Sequence, residues 1–513
     1  MARSIFLKTP VLWIPVETKQ PHRRLDVYAD GRKIREFMVP DGGADQKQEG
    51  DCVGYYGKLA LPGAVGKEVI LKGEVSEDFL NAIRTDEEMK EIDSLGEQAA
   101  AGEEPRPSFH FTAVHGWIND PNGLIYADGL FHYYFQYNPF DTEWQNMSWG
   151  HAVSRDLLHW RQEETVMSPD EDGPIFSGSA VENQQGLLGQ PQEALLYFYT
   201  AAGGSSRWSA GKTYIQKMAY SVDGGFTLHS LTTGRVDSLA RENRDPKVFW
   251  HEETRAYVMI LWVEGDTFAI LRSGDLMSFR ESQRFHLEEG FECPDLFRLT
   301  ANGREKWVVM TAKGHYYPGS FDGFRFVPDG FRGELYLGDM QYAAQTYSGI
   351  NDRCVMIPWL RMNHPGRTYR GAAGLPKELE GIFSKEGSFL VRQKPVREYE
   401  RLRRECTAGE SACEMELLLG EEADFSVKTG GICISYNGKE HTLEMGAECW
   451  NVGKTCRKIR IFVDDTILEA SIDDGRLFGA AELLEPAAGF ELLESHGVER
   501  ICYFHLNDSC AAF

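Results

Sequence analysis

No stretch of this 513-residue chain approaches the roughly 20 consecutive apolar residues that a membrane-spanning helix needs, so no membrane partner is expected. Basic residues are scarce. Lys and Arg number 54 against 78 Asp and Glu, a formal charge of −24. A chain that acidic repels nucleic acid and anionic bilayers, which removes nucleic acid from the expected partners. Cysteines number ten, without the spacing of a disulfide framework or a zinc site. Cys406 and Cys413, or Cys449 and Cys456, stand too far apart for a zinc knuckle. The N-terminal segment starts basic at Arg3, but its apolar run is broken by Lys8, Pro10 and Pro15, and no small-residue cleavage site follows. Mature protein with reduced thiols in the cytoplasm is the expectation.

What remains is an ordinary globular composition, 42% hydrophobic and 26% charged, too long for one core. Residues 1–104 read as a small β module. Short runs such as Val11–Ile14, Arg24–Tyr28 and Glu68–Leu71 alternate with turns such as Asp30-Gly31, and one helical pattern spans about Asp78 to Ala100, with Phe79, Leu80, Ile83 and Ile92 on one stripe. Gly102–Pro107 reads as a linker. Residues 105–375 are β-rich and aromatic-rich, with repeat starts near Asp120, Ser177, Asp245, Glu292 and Gln341. Several short strands per repeat are the signature of propeller blades, and five starts predict five blades. Residues 376–513 open on a charged, helical connector near 376–402. Alternating strands with Asn437-Gly438 and Asp474-Gly475 hairpin signals then predict an antiparallel sandwich. The fold class is therefore all-β: a five-bladed β-propeller followed by a C-terminal β-sandwich, with a small N-terminal β-rich module.

Three acids head similar segments. Asp120 lies in Asn119-Asp120-Pro121-Asn122-Gly123, Asp245 in Arg244-Asp245-Pro246, and Glu292 in Glu292-Cys293-Pro294-Asp295. Each precedes an apolar strand, a turn and a second strand. Alone, each is a turn sequence or a surface acid; together they place a carboxylate at one repeated structural position, which in a propeller opens onto the central channel. Converging carboxylates suit cleavage of a glycosidic bond, in which one acid protonates the leaving oxygen and another carboxylate attacks the sugar. A third, paired with an arginine, suits gripping sugar hydroxyls.

The ordered set extends further. It includes Arg106-Pro107, His110–Thr112, Gly116–Gly123, Phe135–Pro139, Trp149–Ser154 with His159-Trp160, and Phe176–Ala180. Arg460–Asp464, Leu468-Glu469 and Asp473–Gly475 follow in the C-terminal part. Over roughly residues 106–475 the chain resembles glycoside hydrolase family 32, the invertases, levanases and inulinases. The resemblance implies a retaining mechanism with Asp120 as nucleophile, Glu292 as general acid/base and Asp245 as transition-state stabiliser. It implies a substrate pocket shaped by Asn119, Gln136, Trp144, Phe176, Ser177, Arg244 and Trp359, with His115 and His151 structural and no metal or organic cofactor. The chain departs from the family in three places: Met340 where an aspartate is usual, Lys377 for an arginine, and the N-terminal extension.

The reading is an exo-acting β-fructofuranosidase releasing fructose from short fructo-oligosaccharides, fructosyl disaccharides or sucrose. Its partner is a small carbohydrate; linkage preference and oligomeric state are left open. A fructosyltransferase of the same family shares the first half-reaction, and a non-catalytic fructan-binding protein would need none of the three acids. Met340 is expected to replace a carboxylate on the wall facing the leaving sugar, favouring fructosyl-fructose disaccharides over sucrose.

Overall fold

The computed structural model describes residues 2–43, 54–94, 106–409, 412–454 and 456–506, with side chains omitted for 92–94. It is almost entirely β. Two small sheets from residues 2–85 face each other over an apolar core that includes Leu12, Leu25, Phe37, Leu71 and Phe79. Alternation builds this layer: along Val11–Glu17 every second residue is buried, so one face is apolar and the other wet. The single helix expected from about 78 to 100 is instead two short ones, Glu77–Ala82 and Asp86–Ser94. Both starts are capped. Ser76 Oγ accepts from Phe79 N at 3.1 Å; Thr85 and Glu88 form a reciprocal box, with Thr85 N donating to Glu88 Oε2 at 2.7 Å and Glu88 N to Thr85 Oγ1 at 3.4 Å. Between them Arg84-Thr85 extends and pairs with Leu12-Trp13. The pattern beyond Ser94, and most of the expected linker, lie outside the described residues.

Five consecutive sheets of four or five strands form the propeller. Their innermost strands are Gly116–Ala127, Ile175–Glu182, Arg244–His251, Asp295–Ala301 and Gln341–Thr346. All five expected repeat starts fall on, or just before, one of these strands. Second strands such as Leu195–Ala202 are buried throughout because neighbouring blades cover both faces, while outer strands such as Arg280–His286 are mostly exposed. The ring closes where Tyr369-Arg370 pairs in parallel with Gly116-Trp117 and Ile125 bridges Ser348.

The segment read as a helical connector needs correction. Lys377–Phe383 and Phe389–Pro395 are the outer strands of the fifth blade, so that sheet runs past residue 375, and within 376–402 the helix is confined to Arg397–Leu402. The charged residues that suggested a connector fit an outer strand, where one side meets water. The remaining strands form the β-sandwich. The long strands Ala412–Thr429 and Glu491–Leu506 pair along most of their length, and the first also pairs with Lys458–Asp464 at one end and Ile432–Asn437 at the other.

A buried charge network fastens propeller to sandwich. His110 is bonded to Asp464 at 2.9 Å and to Glu469 at 3.2 Å, while Lys377 donates to Glu469 at 2.7 Å and to Gln341 at 2.8 Å. The lysine that replaces an expected arginine thus holds the inner strand of the fifth blade to the sandwich.

Candidate active site

The inner strands share one irregularity that explains why turn-like sequences occur inside a sheet. Pairing breaks between Ile118 and Pro121, Ile175 and Gly178, Arg244 and Lys247, and Tyr342 and Gln345; in the fourth blade it begins only at Asp295. The skipped residues are therefore Asn119-Asp120, Phe176-Ser177, Asp245-Pro246 and Ala343-Ala344, and Glu292-Cys293-Pro294 precede the pairing. A bulge frees a residue from the ladder and re-aims its side chain. Proline suits such a position because it has no N–H to leave unbonded. Asp245, Glu292, Cys293 and Ala343 take left-handed φ values of 64°, 27°, 45° and 49°, a backbone cost characteristic of functional sites. Gly178, next to Ser177, has no alternative: a Cβ there would lie 1.8 Å from the Phe198 carbonyl oxygen.

The result is a cavity of about 360 Å³ at the ring axis, lined by all ten residues picked from the sequence: Asn119, Asp120, Gln136, Trp144, Phe176, Ser177, Arg244, Asp245, Glu292 and Trp359. Tyr214, Glu242, Tyr342 and Arg361 also line it and were missed. Tyr342 carried a signal, since it directly follows the Gln341 repeat start; the others come from segments without a motif. His151 lies in a buried stack with Tyr134 and His132, and His115 stacks on Tyr55, both outside the lining. Met340 does not line the cavity either. It packs against the apolar cluster of Leu360, Met362, Ala372, Ile467 and Ala480. The expectation that it faces the leaving sugar is therefore wrong, and the disaccharide preference drawn from it falls.

The three acids have different surroundings. Asp120 accepts from Ser177 Oγ at 2.7 Å and Asn119 Nδ2 at 3.1 Å, and Trp117 Nε1 in turn fixes the Asn119 amide oxygen at 2.8 Å. Asp245 accepts from Cys293 N at 3.0 Å. The Cys293 thiol bridges the two aspartates, 3.7 Å from Asp120 and 3.4 Å from Asp245. Glu292 accepts from Arg244 Nη2 at 2.6 Å and Nε at 3.1 Å on one oxygen, and from Tyr342 OH at 2.5 Å on the other. Arg244 lies 3.8 Å from Asp245. Arg244 thus ion-pairs with Asp245 as expected and binds Glu292 more closely, while stacking on the Trp262 ring at 4.1 Å.

Burying Asp120 and Asp245 away from water penalises the charged forms of these two aspartates. Burial, then the charge of Glu292, raises Asp120 above the ordinary aspartate range, against the donors Ser177 and Asn119. Burial raises Asp245 to about 7, opposed by Arg244 and reinforced by Glu292 and Asp120. Around these acids, Gln136 Nε2 and Trp359 Nε1 are buried donors with no partner among the described residues. A buried donor left unpaired is costly. Two of them beside three acceptor groups describe a cavity built for a ligand dense in hydroxyl oxygens. Among the described residues, His22, Asp141 and Glu143 come within 4.8 Å of one another as a possible metal cluster, outside the cavity lining.

Three carboxyls gathered at one cavity on a propeller axis fit the class of glycoside hydrolases. The chain belongs to the glycosyl hydrolases family 32: the model of that family's N-terminal domain matches residues 110–395. It is 30% identical over 476 residues to the levanase of Bacillus subtilis, covering 77% of this chain and 69% of the levanase. Among solved structures it is similar to the exo-inulinase of Aspergillus awamori, with a TM-score of 0.69 and 22% identity over 79% of this chain and 99% of that one. A family 32 glycoside hydrolase from Bifidobacterium adolescentis covers 99% of both chains at a TM-score of 0.66 and 18% identity. These last two likenesses show the fold.

Proposed function

We propose that the protein is a retaining, exo-acting β-fructofuranosidase that releases terminal fructose from short fructo-oligosaccharides, fructosyl disaccharides or sucrose. The observation that carries this reading is the convergence of Asp120, Asp245 and Glu292, from three blades, on one small cavity. The names of the similar proteins, levanase and exo-inulinase, point to the same sugar. At about 360 Å³ the cavity sits at the lower end of ligand sites, which span about 300–1,000 Å³, and suits a chain end rather than the middle of a polymer.

In this reading Asp120 attacks the anomeric carbon. Ser177 and Asn119 spread its negative charge and fix its orientation. Glu292, aligned by Arg244 and Tyr342, protonates the leaving oxygen and then takes a proton from the water that resolves the fructosyl-enzyme. Asp245 accepts hydrogen bonds from fructosyl hydroxyls, which strengthen as the ring flattens toward an oxocarbenium ion. Gln136 and Trp359 donate to the same sugar.

Sucrose, inulobiose, levanbiose, inulin and levan assayed side by side test this. Release of free fructose from the small substrates is expected. Transfer products in place of free fructose would make the protein a transferase, and no turnover of any of the five would contradict the enzymatic reading. We also propose a reducing cellular compartment, supported by the free thiols of Cys293, Cys354, Cys433, Cys449, Cys456 and Cys502.

A further inference from the structure

Trp144 is half exposed, yet it lines the cavity. Its loop, residues 139–147, leaves the first blade after the strand Leu130–Asn138 and returns at Ser148. Asn138 draws the loop ends together, donating to the Glu143 carbonyl at 2.8 Å and accepting from Phe140 N at 3.1 Å and Asn146 Nδ2 at 3.1 Å.

On the propeller side Ile175 N donates to the Met147 carbonyl at 2.8 Å and Ser148 Oγ to the Asn146 carbonyl at 2.8 Å; the loop's other anchors lie on the N-terminal module. Phe140 is buried in the module's apolar core, edge-on to Phe37 with centroids 4.8 Å apart. A Cβ on Gly57 of the module would lie 2.4 Å from the Pro139 carbonyl oxygen, so the two backbones touch. His22 Nε2 lies 2.7 Å from Asp141 Oδ2. Asn146, in left-handed conformation at φ 52°, bonds Met38 in both directions: it accepts from Met38 N at 2.8 Å and donates to Met38 O at 2.7 Å. Trp144 therefore sits between anchors at 140–141 and 146, all on the same module.

The opposite rim is fastened the same way. Trp144 meets Phe176 edge-to-face at 5.9 Å, and Phe176 meets Tyr214 at 5.7 Å, forming an aromatic arc on the cavity wall. Tyr214 OH is 3.0 Å from Ser205 Oγ, in a loop held by Trp208 N donating to Glu36 at 3.1 Å and Arg207 to Glu74 at 2.8 Å. One end of the arc, Trp144, lies on a loop tied to the module, and the other, Tyr214, opens a second-blade strand and touches such a loop through its hydroxyl.

We infer that the N-terminal module is a specificity element that positions Trp144 through His22–Asp141 and Asn146–Met38, setting the shape of the cavity mouth for the leaving sugar. Asn146 and His22 are positioning residues; neither touches substrate. For its substrate this inference rests on the fructosidase reading. The loop geometry stands apart from it.

The test is a mutant cycle on the full-length protein with a fructosyl trisaccharide as substrate. Asn146→Ala and His22→Gln should each lower kcat/KM about tenfold, mainly through KM, with unchanged melting of the propeller. In a Trp144→Ala background the same changes should cost less than about threefold, because the group they position is gone. Hydrogen exchange of residues 139–147 gives a readout independent of activity: both variants should exchange at least about tenfold faster there. Additive effects in the cycle, or unchanged exchange of that segment, would overturn the inference. Loss of all turnover in the parent protein would sink the fructosidase reading instead, and the exchange measurement would still decide the positioning.

Discussion

Arg244 reaches past its sequence neighbour Asp245 to Glu292, placing Nη2 and Nε 2.6 and 3.1 Å from one carboxylate oxygen. The bulge at Asp245 makes this possible, since it turns the aspartate toward Cys293 and leaves the guanidinium stacked on Trp262. Arg244→Gln should therefore damage the acid/base step, with kcat falling about 10²-fold while the protein stays folded. A variant with near-normal kcat and only a raised KM would show that the arginine serves substrate binding alone.

The proposed mechanism makes Asp120 and Glu292 individually indispensable. Asp120→Asn and Glu292→Gln are expected to lose at least about 10³-fold in kcat, because each removes a group that acts in the transition state. Retention of a tenth of the activity by Asp120→Asn would assign the nucleophile elsewhere.

Asp245 makes the site a stability cost at neutral pH. Its folded pKa, near 7, lies above the unfolded value, so the native state binds the extra proton. The stabilising contribution is complete below about pH 4 and is lost as pH rises through about 7. Asp245→Asn removes that loss, and asparagine tolerates the left-handed backbone. The variant should be inactive yet more stable than the parent by roughly 1–3 kcal/mol at pH 8, with the gain vanishing near pH 4. Equal stability differences at both pH values would contradict the charge argument.

The His110 network predicts a second pH dependence. Burial alone would lower the His110 pKa, but Asp464 and Glu469 outweigh it and hold it at about 9. A raised histidine stabilises fully below about 6.5 and loses that contribution as pH climbs through 9. Against burial, Lys377 and His110 hold Glu469 down to about 2, so its contribution persists until strongly acidic pH. His110→Ala should cost about 3 kcal/mol or more at pH 6, because Asp464 and Glu469 keep buried charge without their shared partner. Denaturant unfolding at pH 6 and pH 9.5 checks this; a penalty of the same size at both would show that packing, not charge, is lost.

What the sequence made legible follows from local chemistry. Asn119–Gly123 reads as a turn and Asp245 as a surface acid because Asn119-Asp120 and Asp245-Pro246 leave the ladder, and the structure shows that departure as bulges inside strands. Repetition across blades turned three weak motifs into one site. Tyr214, Glu242 and Arg361 left no local trace, because ring closure and loop packing bring them to the axis. The split at Ile83 was hidden because Phe79, Leu80 and Ile83 keep helical spacing, while the break comes from Arg84-Thr85 pairing with the distant strand at Leu12-Trp13. The error at Met340 was one of direction: two residues before Tyr342, its side chain meets the sandwich-facing cluster.

The proposed reaction turns on double displacement through Asp120. Proton NMR of the first fructose released from a fructosyl disaccharide, recorded within minutes and before mutarotation, tests it most directly. Retention predicts the β-anomer as first product. The α-anomer appearing first would mean direct attack by water and would remove Asp120 from the role of nucleophile.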